Sequence, residues 1–184
     1  MMETIIVAED FYTNSEQVRE FALRQEFSVQ GYFPGARTAP FLNDSVRDTI
    51  QRLVGVPITY WPTDTYNGAY QISTKMDRTW IHADTTTWSG VVYLTPHAPA
   101  NAGTAFFKHL PTGAELYPED PEQRKRCDED TYISDRWAVT DQIGNRFNRL
   151  ILFRGRRFHC SQGHFGTCKE DARLFQTFFF NTTY

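Results

Sequence analysis

The sequence contains no long apolar segment and only three cysteines. None of its apolar runs approaches the roughly 20 residues that a helix needs to cross a bilayer. A basic segment followed by an apolar stretch, as in a secretory signal, is also missing from the N-terminus. Three cysteines are an odd number without the spacing of a disulfide framework. We therefore expect a cytoplasmic protein with no membrane partner and no disulfide scaffold.

Positive charge is also scarce. Nineteen lysines and arginines stand against 22 acidic residues, which gives a formal net charge of -3. A protein that binds nucleic acid through its phosphates concentrates lysine and arginine on one face. The two basic clusters, at 124–126 and 154–157, are too short to form such a face. We expect no nucleic-acid partner.

Aromatic residues, in contrast, are abundant. They make up 15% of the 184 residues, with fifteen Phe and nine Tyr, and such side chains favour β-strands. The length suits one domain with a substantial core. We expect a single domain over residues 1–184, in which residues 1–57 form a helical support and residues 58–184 form a β core.

The β core is predicted from short β-rich runs that turn residues separate. No helical pattern alternates with these runs, which favours a sandwich or barrel over a parallel sheet. A jelly roll fits best, and the protein is expected to be mainly β. The runs cover residues 58–61, 69–74, 80–84, 90–94, 104–109, 150–153, 157–160 and 174–180.

The remaining segments are predicted as helices and loops. Residues 5–8 form a short strand, and a helix follows the polar residues 13–15. A second helix begins at Asp44 or Ser45 and ends before Gly55. The stretch 31–40, rich in Pro and Gly, is predicted as a loop. The polar stretch 110–145 is either a functional lid or a disordered insert.

One candidate metal site is visible among the polar residues. His82 and Asp84 stand two residues apart in a predicted strand, so their side chains share one face. His159, in a later predicted strand, supplies a second imidazole. Two histidines and one carboxylate on one face of a metal, with the opposite positions open, are the ligands of non-haem Fe(II) oxygenases.

Arg173 is predicted to require an anion. It begins the apolar run 173–180, in which strand alternation places Arg173 and Thr177 on one face. An unpaired guanidinium in the interior costs several kcal/mol, so the protein or a ligand must supply a carboxylate. The planar guanidinium suits bidentate carboxylate binding. A protein carboxylate and a ligand both remain possible sources.

The order His82-x-Asp84, His159 and Arg173 resembles the Fe(II)- and 2-oxoglutarate-dependent oxygenases. The resemblance is densest over residues 69–180, and it extends to three further segments: residues 7–12, residues 90–96 and the Gly103-Thr104 step. It implies a double-stranded β-helix, a cupin-like jelly roll with the N-terminal helices packed on its outside. It also implies Fe(II) on the two histidines and the aspartate, 2-oxoglutarate paired with Arg173, and O2 at the remaining metal position.

The activity that this resemblance implies is oxidation of a C–H bond coupled to decarboxylation of 2-oxoglutarate to succinate and CO2. Asp84 favours hydroxylation, because related halogenases have a small residue in place of the carboxylate. We expect a hydroxylase of a small molecule, amino acid or peptide side chain. The alternative is a non-catalytic jelly-roll domain that binds or senses a ligand.

Further residues are predicted around the site. Many relatives have Ser or Thr two residues after the arginine, where this chain has Phe175. The expected substitutes that help to hold the cosubstrate carboxylate are Thr177, Tyr93 and Gln71.

Two residues are predicted to contact substrate. Trp88 follows the first ligand pair, and Arg157 flanks His159. A core role for Trp88 and a solvated position for Arg157 remain the alternatives.

A zinc site is the alternative use of the C-terminal cysteines. Its fourth ligand would be His159 or Cys127, and in the first case His159 would leave the iron site. The other three ligands would be Cys160, His164 and Cys168.

Overall fold

Two antiparallel β-sheets form the centre of the computed structural model, which describes residues 4–183. In chain order the elements are β1 (Ile5–Ala8), α1 (Ser15–Arg24), β2 (Ala36–Pro40), α2 (Asp44–Val54), β3 (Ile58–Tyr60), β4 (Ala69–Ser73), β5 (Trp88–Tyr93), β6 (Thr104–His109), α3 (Pro121–Glu129), a 3-10 turn (Ser134–Arg136), β7 (Trp137–Ile143), β8 (Leu150–Arg154), β9 (His159–Ser161) and β10 (Arg173–Thr182).

The larger sheet has the strand order β1-β8-β5-β10-β4-β2, and β3 pairs with the far end of β10. The smaller sheet has the order β7-β6-β9. All these pairs are antiparallel. The prediction of a mainly β protein with a jelly-roll core is confirmed.

Strand β10 separates two hydrophobic cores, because alternate side chains point to opposite faces of the sheet. Leu174 and Phe178 face the helices and join a core that includes Ala22 of α1 and Ile50 of α2. Phe175 faces the smaller sheet. The inner core on that side comprises Tyr93, Phe106, Ile151, Phe153 and Phe175. The helices therefore lie outside the β core, as predicted, and the space between the sheets is left for a site.

The two N-terminal helices lie close to their predicted positions. Helix α2 is capped by Asn43, whose side chain accepts a hydrogen bond from the Ser45 N–H at 2.8 Å, and not by Asp44 or Ser45. It ends at Gly55, whose φ of 77° is left-handed. Across residues 4–183 there is no helix with the length and apolar character needed to cross a membrane.

The prediction that residues 31–40 form a loop is confirmed for residues 31–35 and was wrong for residues 36–40. Strand β2 pairs with β4, and Arg37 lies opposite Gln71. The strand was hidden in the sequence by Gly35 and Pro40, but proline is tolerated in an edge strand because its missing N–H is not needed there. The segment 1–57 thus contributes two edge strands, β1 and β2, as well as its helices.

The segment 110–145 is ordered, which excludes the disordered alternative. It contains α3, the 3-10 turn and β7, and β7 extends the smaller sheet beside β6. His109 is fully buried beneath it, with Nε2 3.0 Å from a carboxylate oxygen of Asp130. The indole N–H of Trp137 donates to the carbonyl of Asp130 at 2.9 Å. These contacts attach the segment to the smaller sheet.

Asn148 links the N-terminal segment to the β core, and we expect its loss to be costly. Its side chain accepts from the Tyr12 N–H and donates to the Tyr12 carbonyl, both at 2.8 Å, and its φ is 63°. Asn148→Ala should lower the free energy of unfolding by about 2–4 kcal/mol, because two backbone groups lose partners and alanine is strained at positive φ.

Urea denaturation measures this difference, and the exposed Asn101 provides the control. Asn101→Ala should change the free energy of unfolding by less than about 0.5 kcal/mol. An equal effect of the two substitutions would contradict the assigned role of Asn148.

Candidate metal centre

The structure brings His82, Asp84 and His159 together. One ligand atom from each lies within 4.8 Å of the other two. The Nε2 of His159 is 3.4 Å from a carboxylate oxygen of Asp84, and the two imidazole centroids are 4.4 Å apart. Among the residues described, no other group of three or more His, Cys, Asp or Glu side chains is arranged in this way.

A β-bridge, and not a full strand, holds His82. The prediction of a strand over residues 80–84 was wrong, since His82 forms only an isolated bridge with His159. The two backbone hydrogen bonds of this bridge measure 3.0 and 2.8 Å. The N–H of Asp84 donates to the carbonyl of Gly155 at 2.7 Å. These backbone hydrogen bonds fix the positions of His82, Asp84 and His159 relative to one another.

Backbone carbonyls also orient the two imidazoles. The Nδ1 of His82 is 3.1 Å from the carbonyl oxygen of Trp80, and the Nδ1 of His159 is 2.7 Å from that of Arg157. A carbonyl oxygen only accepts, so Nδ1 carries the proton in each neutral ring. Each Nε2 therefore keeps the lone pair that a metal ligand needs.

The electrostatics of the site suit a divalent metal. Burial, followed by the proximity of His159, lowers the pKa of His82 to about 4, so this ring is neutral at pH 7. Burial alone would raise the pKa of Asp84, but the adjacent imidazoles of His159 and His82 hold it well below its usual range. The Ser89 hydroxyl also donates to Asp84 at 2.5 Å. Two imidazoles and an ionised carboxylate are the ligand set that non-haem Fe(II) takes.

A cavity of about 590 Å³ adjoins these three side chains and also contains Arg173. Arg173 is 1% exposed, and its Nε and Nη2 donate to the carbonyls of Ala102 and Gly103 at 3.1 and 3.2 Å. Its Nη1 has no partner. Its guanidinium carbon lies 4.3 Å from the ring centroid of Phe175.

None of the acidic side chains of residues 4–183 supplies the anion that Arg173 requires. Within residues 4–183, the guanidinium forms no ion pair with Asp or Glu. The alternative of an internal ion pair is therefore wrong. A buried, uncompensated guanidinium that faces a cavity is the signature of a binding site for an anionic ligand.

Thr177 and Tyr93, two of the predicted cosubstrate contacts, differ in the hydrogen bonds that their hydroxyls make. Thr177 lines the cavity, but its hydroxyl donates to the carbonyls of Tyr66 and Ala69. The Tyr93 hydroxyl lies 2.8 Å from that of Thr104, which lines the cavity. The Tyr93 ring centroid is 5.4 Å from the guanidinium carbon of Arg173. Tyr93 is thus beside Arg173, whereas the Thr177 hydroxyl is already bonded to the backbone.

The third predicted contact, Gln71, positions a residue that the sequence analysis missed. Its side-chain oxygen accepts from the Nε of Arg37 at 2.6 Å, and its amide donates to the carbonyl of Pro34 at 2.6 Å. Arg37 lines the cavity from β2. It was missed because residues 31–40 were predicted as a loop. Ser89 was also missed. Strand alternation in β5 is the signal that could have placed its side chain towards the site.

Trp88 and Arg157, the two predicted substrate contacts, lie away from the cavity. Trp88 is 2% exposed and stacks on Phe180 in the core that faces the helices. Arg157 pairs with Asp141 at 2.6 Å and packs over Phe106. Trp88 in strand β5 and Arg157 in the turn after β8 both point away from the cavity, contrary to the prediction. Trp88 thus takes the core role that the sequence left open.

The alternative zinc site is not assembled. The Sγ of Cys160 accepts from the side-chain amide of Gln162 at 3.1 Å, and the Nδ1 of His164 is 3.0 Å from the carbonyl oxygen of Asp77. Cys168 is exposed. Burial raises the pKa of Cys160 to about 11, and a neutral thiol is a poor metal ligand. His159 therefore stays with His82 and Asp84.

Comparisons with known proteins place this chain by sequence and by fold. The chain belongs to DUF6445, a family of unknown function whose sequence profile matches residues 1–164. No curated protein sequence matches it.

Several solved structures are similar to this chain in fold. HygX from Streptomyces hygroscopicus, with nickel, 2-oxoglutarate and hygromycin B bound, is 14% identical with a TM-score of 0.64, and the match covers 98% of this chain and 84% of HygX. The non-haem α-ketoglutarate-dependent epimerase SnoN is 13% identical with a TM-score of 0.53, over 95% and 75%. EctD from S. alaskensis is 13% identical with a TM-score of 0.50, over 98% and 72%. The fold is that of the Fe(II)/2-oxoglutarate-dependent oxygenases, and the predicted resemblance to them is confirmed.

The hydrogen bond from Ser89 to Asp84 should contribute to metal affinity. A partner that orients a ligating carboxylate is typically worth 10–100-fold in affinity. We expect Ser89→Ala to weaken Mn(II) binding about 10-fold, as measured by calorimetric titration. Ser134→Ala, at an exposed position far along the chain, is the control. Unchanged affinity in folded Ser89→Ala would show that Asp84 needs no such support.

Proposed function

We propose that this protein is an Fe(II)- and 2-oxoglutarate-dependent dioxygenase that hydroxylates a small molecule, an amino acid or a peptide side chain. One observation carries the proposal. The group His82, Asp84 and His159 shares a cavity with Arg173, a buried cation whose Nη1 has no partner.

In this proposal, Fe(II) is held by the Nε2 atoms of His82 and His159 and by the carboxylate of Asp84. Three ligands on one side leave further metal positions open to the cavity. Iron bound in this way supplies the oxidising chemistry, with O2 and the decarboxylation of 2-oxoglutarate to succinate and CO2. The protein fixes the ligands through the backbone and excludes water from the space between the sheets.

Arg173 binds the distal carboxylate of 2-oxoglutarate. Its Nε and Nη2 are tied to backbone carbonyls, which fixes the plane of the guanidinium and leaves Nη1 for the ligand. The ring of Phe175 covers one side of that plane. The Tyr93 and Thr104 hydroxyls are hydrogen-bonded to each other at 2.8 Å, which leaves one of the two O–H groups to donate to the ligand. Binding a carboxylate here removes the cost of the buried uncompensated charge.

The fold itself supports 2-oxoglutarate as cosubstrate but does not select the reaction. HygX binds 2-oxoglutarate and hygromycin B, whereas SnoN is an epimerase. Hydroxylation is preferred for this chain because Asp84 retains the carboxylate that related halogenases lack.

In this proposal the segment 110–145 acts as a lid that packs on side chains of the cavity wall. Tyr132 of this segment packs on Trp80, with ring centroids 6.0 Å apart, and Tyr32 packs on the same indole at 4.6 Å. Trp80 and Tyr32 line the cavity. The contact connects the segment directly to the side chains around the metal ligands.

Anaerobic addition of Fe(II) and 2-oxoglutarate tests this function. We expect a metal-to-ligand charge-transfer band in the visible spectrum, because the keto acid chelates iron that the protein holds. Asp84→Ala should abolish the band by removing the anionic ligand. Asp135→Ala, at an exposed position, should retain it. A folded wild-type protein that develops no band would rule out the enzyme.

A further inference from the structure

Arg37 is a second cation on the cavity wall without an acidic partner. It is 8% exposed, and its Nε donates to Gln71 at 2.6 Å. Its Nη1 and Nη2 form no hydrogen bond and no ion pair within residues 4–183. Burial lowers the pKa of Arg37 to about 10, and nearby Asp84 partly offsets this effect. The side chain therefore stays charged at neutral pH at an energetic cost.

Three aromatic rings hold the guanidinium in place. Its central carbon is 3.9 Å from the ring centroid of Phe33, 4.8 Å from that of Tyr66 and 5.7 Å from that of Phe179. These cation–π contacts cover the faces of the guanidinium, and the bond to Gln71 occupies Nε. The two Nη atoms remain, in the planar geometry that binds a carboxylate with two parallel hydrogen bonds.

The charged side chains that line the cavity include one more positive than negative charge. The charged side chains on its wall are Arg37, Asp84 and Arg173, which together carry one excess positive charge. Fe(II) and the 2-oxoglutarate dianion have equal and opposite charges, so their binding leaves the excess unchanged. With Asp84 on the metal and Arg173 on the cosubstrate, the excess resides on Arg37.

The two arginines occupy different parts of the cavity. Arg173 packs on Phe175, whereas Arg37 reaches Phe179, four residues further along the same face of β10. Four strand residues span roughly 13 Å. Phe179 lies opposite Ser89, which holds Asp84. Arg37 itself pairs with Gln71, which lies opposite Phe175, and its side chain extends from there towards Phe179. Its guanidinium is near the metal ligands, since Asp84 acts on its pKa.

We propose that Arg37 binds a carboxylate of the primary substrate, which makes the substrate an organic acid. The inference rests on the proposed function for the role of the cavity. The aromatic side chains that line the cavity together with Arg37 suit an apolar or aromatic body attached to that carboxylate. The residues of this aromatic wall are Tyr32, Phe33, Tyr60, Tyr66 and Trp80.

Benzoate and benzamide test the proposal, because they share a shape and differ in charge. The protein is loaded with Mn(II) and 2-oxoglutarate without O2, in chloride-free buffer, and binding is measured by calorimetry or ligand-observed NMR. We expect wild type to bind benzoate at least about 10-fold more tightly than benzamide. Arg37→Gln and Arg37→Met should lose this preference. Arg24→Gln, which removes an exposed charge on α1, should keep it.

The thermal stability of Arg37→Met and one further variant separate binding from folding. Arg37→Met keeps an unbranched side chain against Phe33 and removes a buried cation, so its thermal midpoint should be no lower than that of wild type. Arg37→Lys keeps the charge and should retain part of the preference for benzoate. No preference in wild type, or an unchanged preference in Arg37→Met, would overturn the proposal, as would unfolding of every Arg37 variant, since that would make the role structural.

A metal-free arm distinguishes failure of this inference from failure of the proposed function. In metal-free Arg173→Gln, without 2-oxoglutarate, a preference for benzoate that depends on Arg37 should persist. If 2-oxoglutarate does not bind at all, the proposed function fails while this arm still supports the anion site. If Arg37→Met weakens 2-oxoglutarate and leaves the benzoate preference unchanged, Arg37 serves the cosubstrate, and the inference fails while the function stands.

Discussion

A guanidinium held between two β-sheets, with no counter-charge from residues 4–183, is the constraint on which this site depends. Arg173 is almost fully buried, two of its nitrogens are tied to backbone carbonyls, and the third has no partner. The cost of such a charge is several kcal/mol unless an anion arrives. The interior is therefore organised for a small molecule that carries a carboxylate. A metal held by His82, Asp84 and His159 in the same cavity would give that molecule a second point of attachment.

The jelly roll makes this arrangement possible because its central strand has two different faces. One face of β10 closes the core under the helices, and the other carries Arg173, Phe175, Thr177 and Phe179 into the cavity. Alternate residues of β10 therefore serve different purposes: one set packs the hydrophobic core, and the other set lines the cavity. Substitutions at Leu174 or Phe178 should act on folding, whereas those on the opposite face act on the site.

The parts of the site that could be predicted are those with a fixed residue type and spacing. The group His82, Asp84 and His159 and the buried Arg173 were predicted because their residue types, order and spacing resemble those of the Fe(II)/2-oxoglutarate oxygenases. Arg37 was not, because Gly35 and Pro40 disguise an edge strand as a loop. Trp88 was assigned to the cavity because it is close in sequence to Asp84. Alternation of side chains along β5 places it on the opposite face of the sheet. Strand β7 was hidden within the polar segment, since an edge strand with an exposed face lacks an apolar pattern.

The most direct test of the central claim compares two keto acids that differ only at the distal end. Binding of 2-oxoglutarate and of 2-oxopentanoate, which lacks the distal carboxylate, is measured anaerobically in Fe(II)-loaded wild type and Arg173→Gln. Loss of a buried charge pair costs at least about 2 kcal/mol, or roughly 30-fold in affinity. We predict that wild type prefers 2-oxoglutarate by at least about 30-fold and that Arg173→Gln does not. Equal affinity of wild type for both acids would contradict the account.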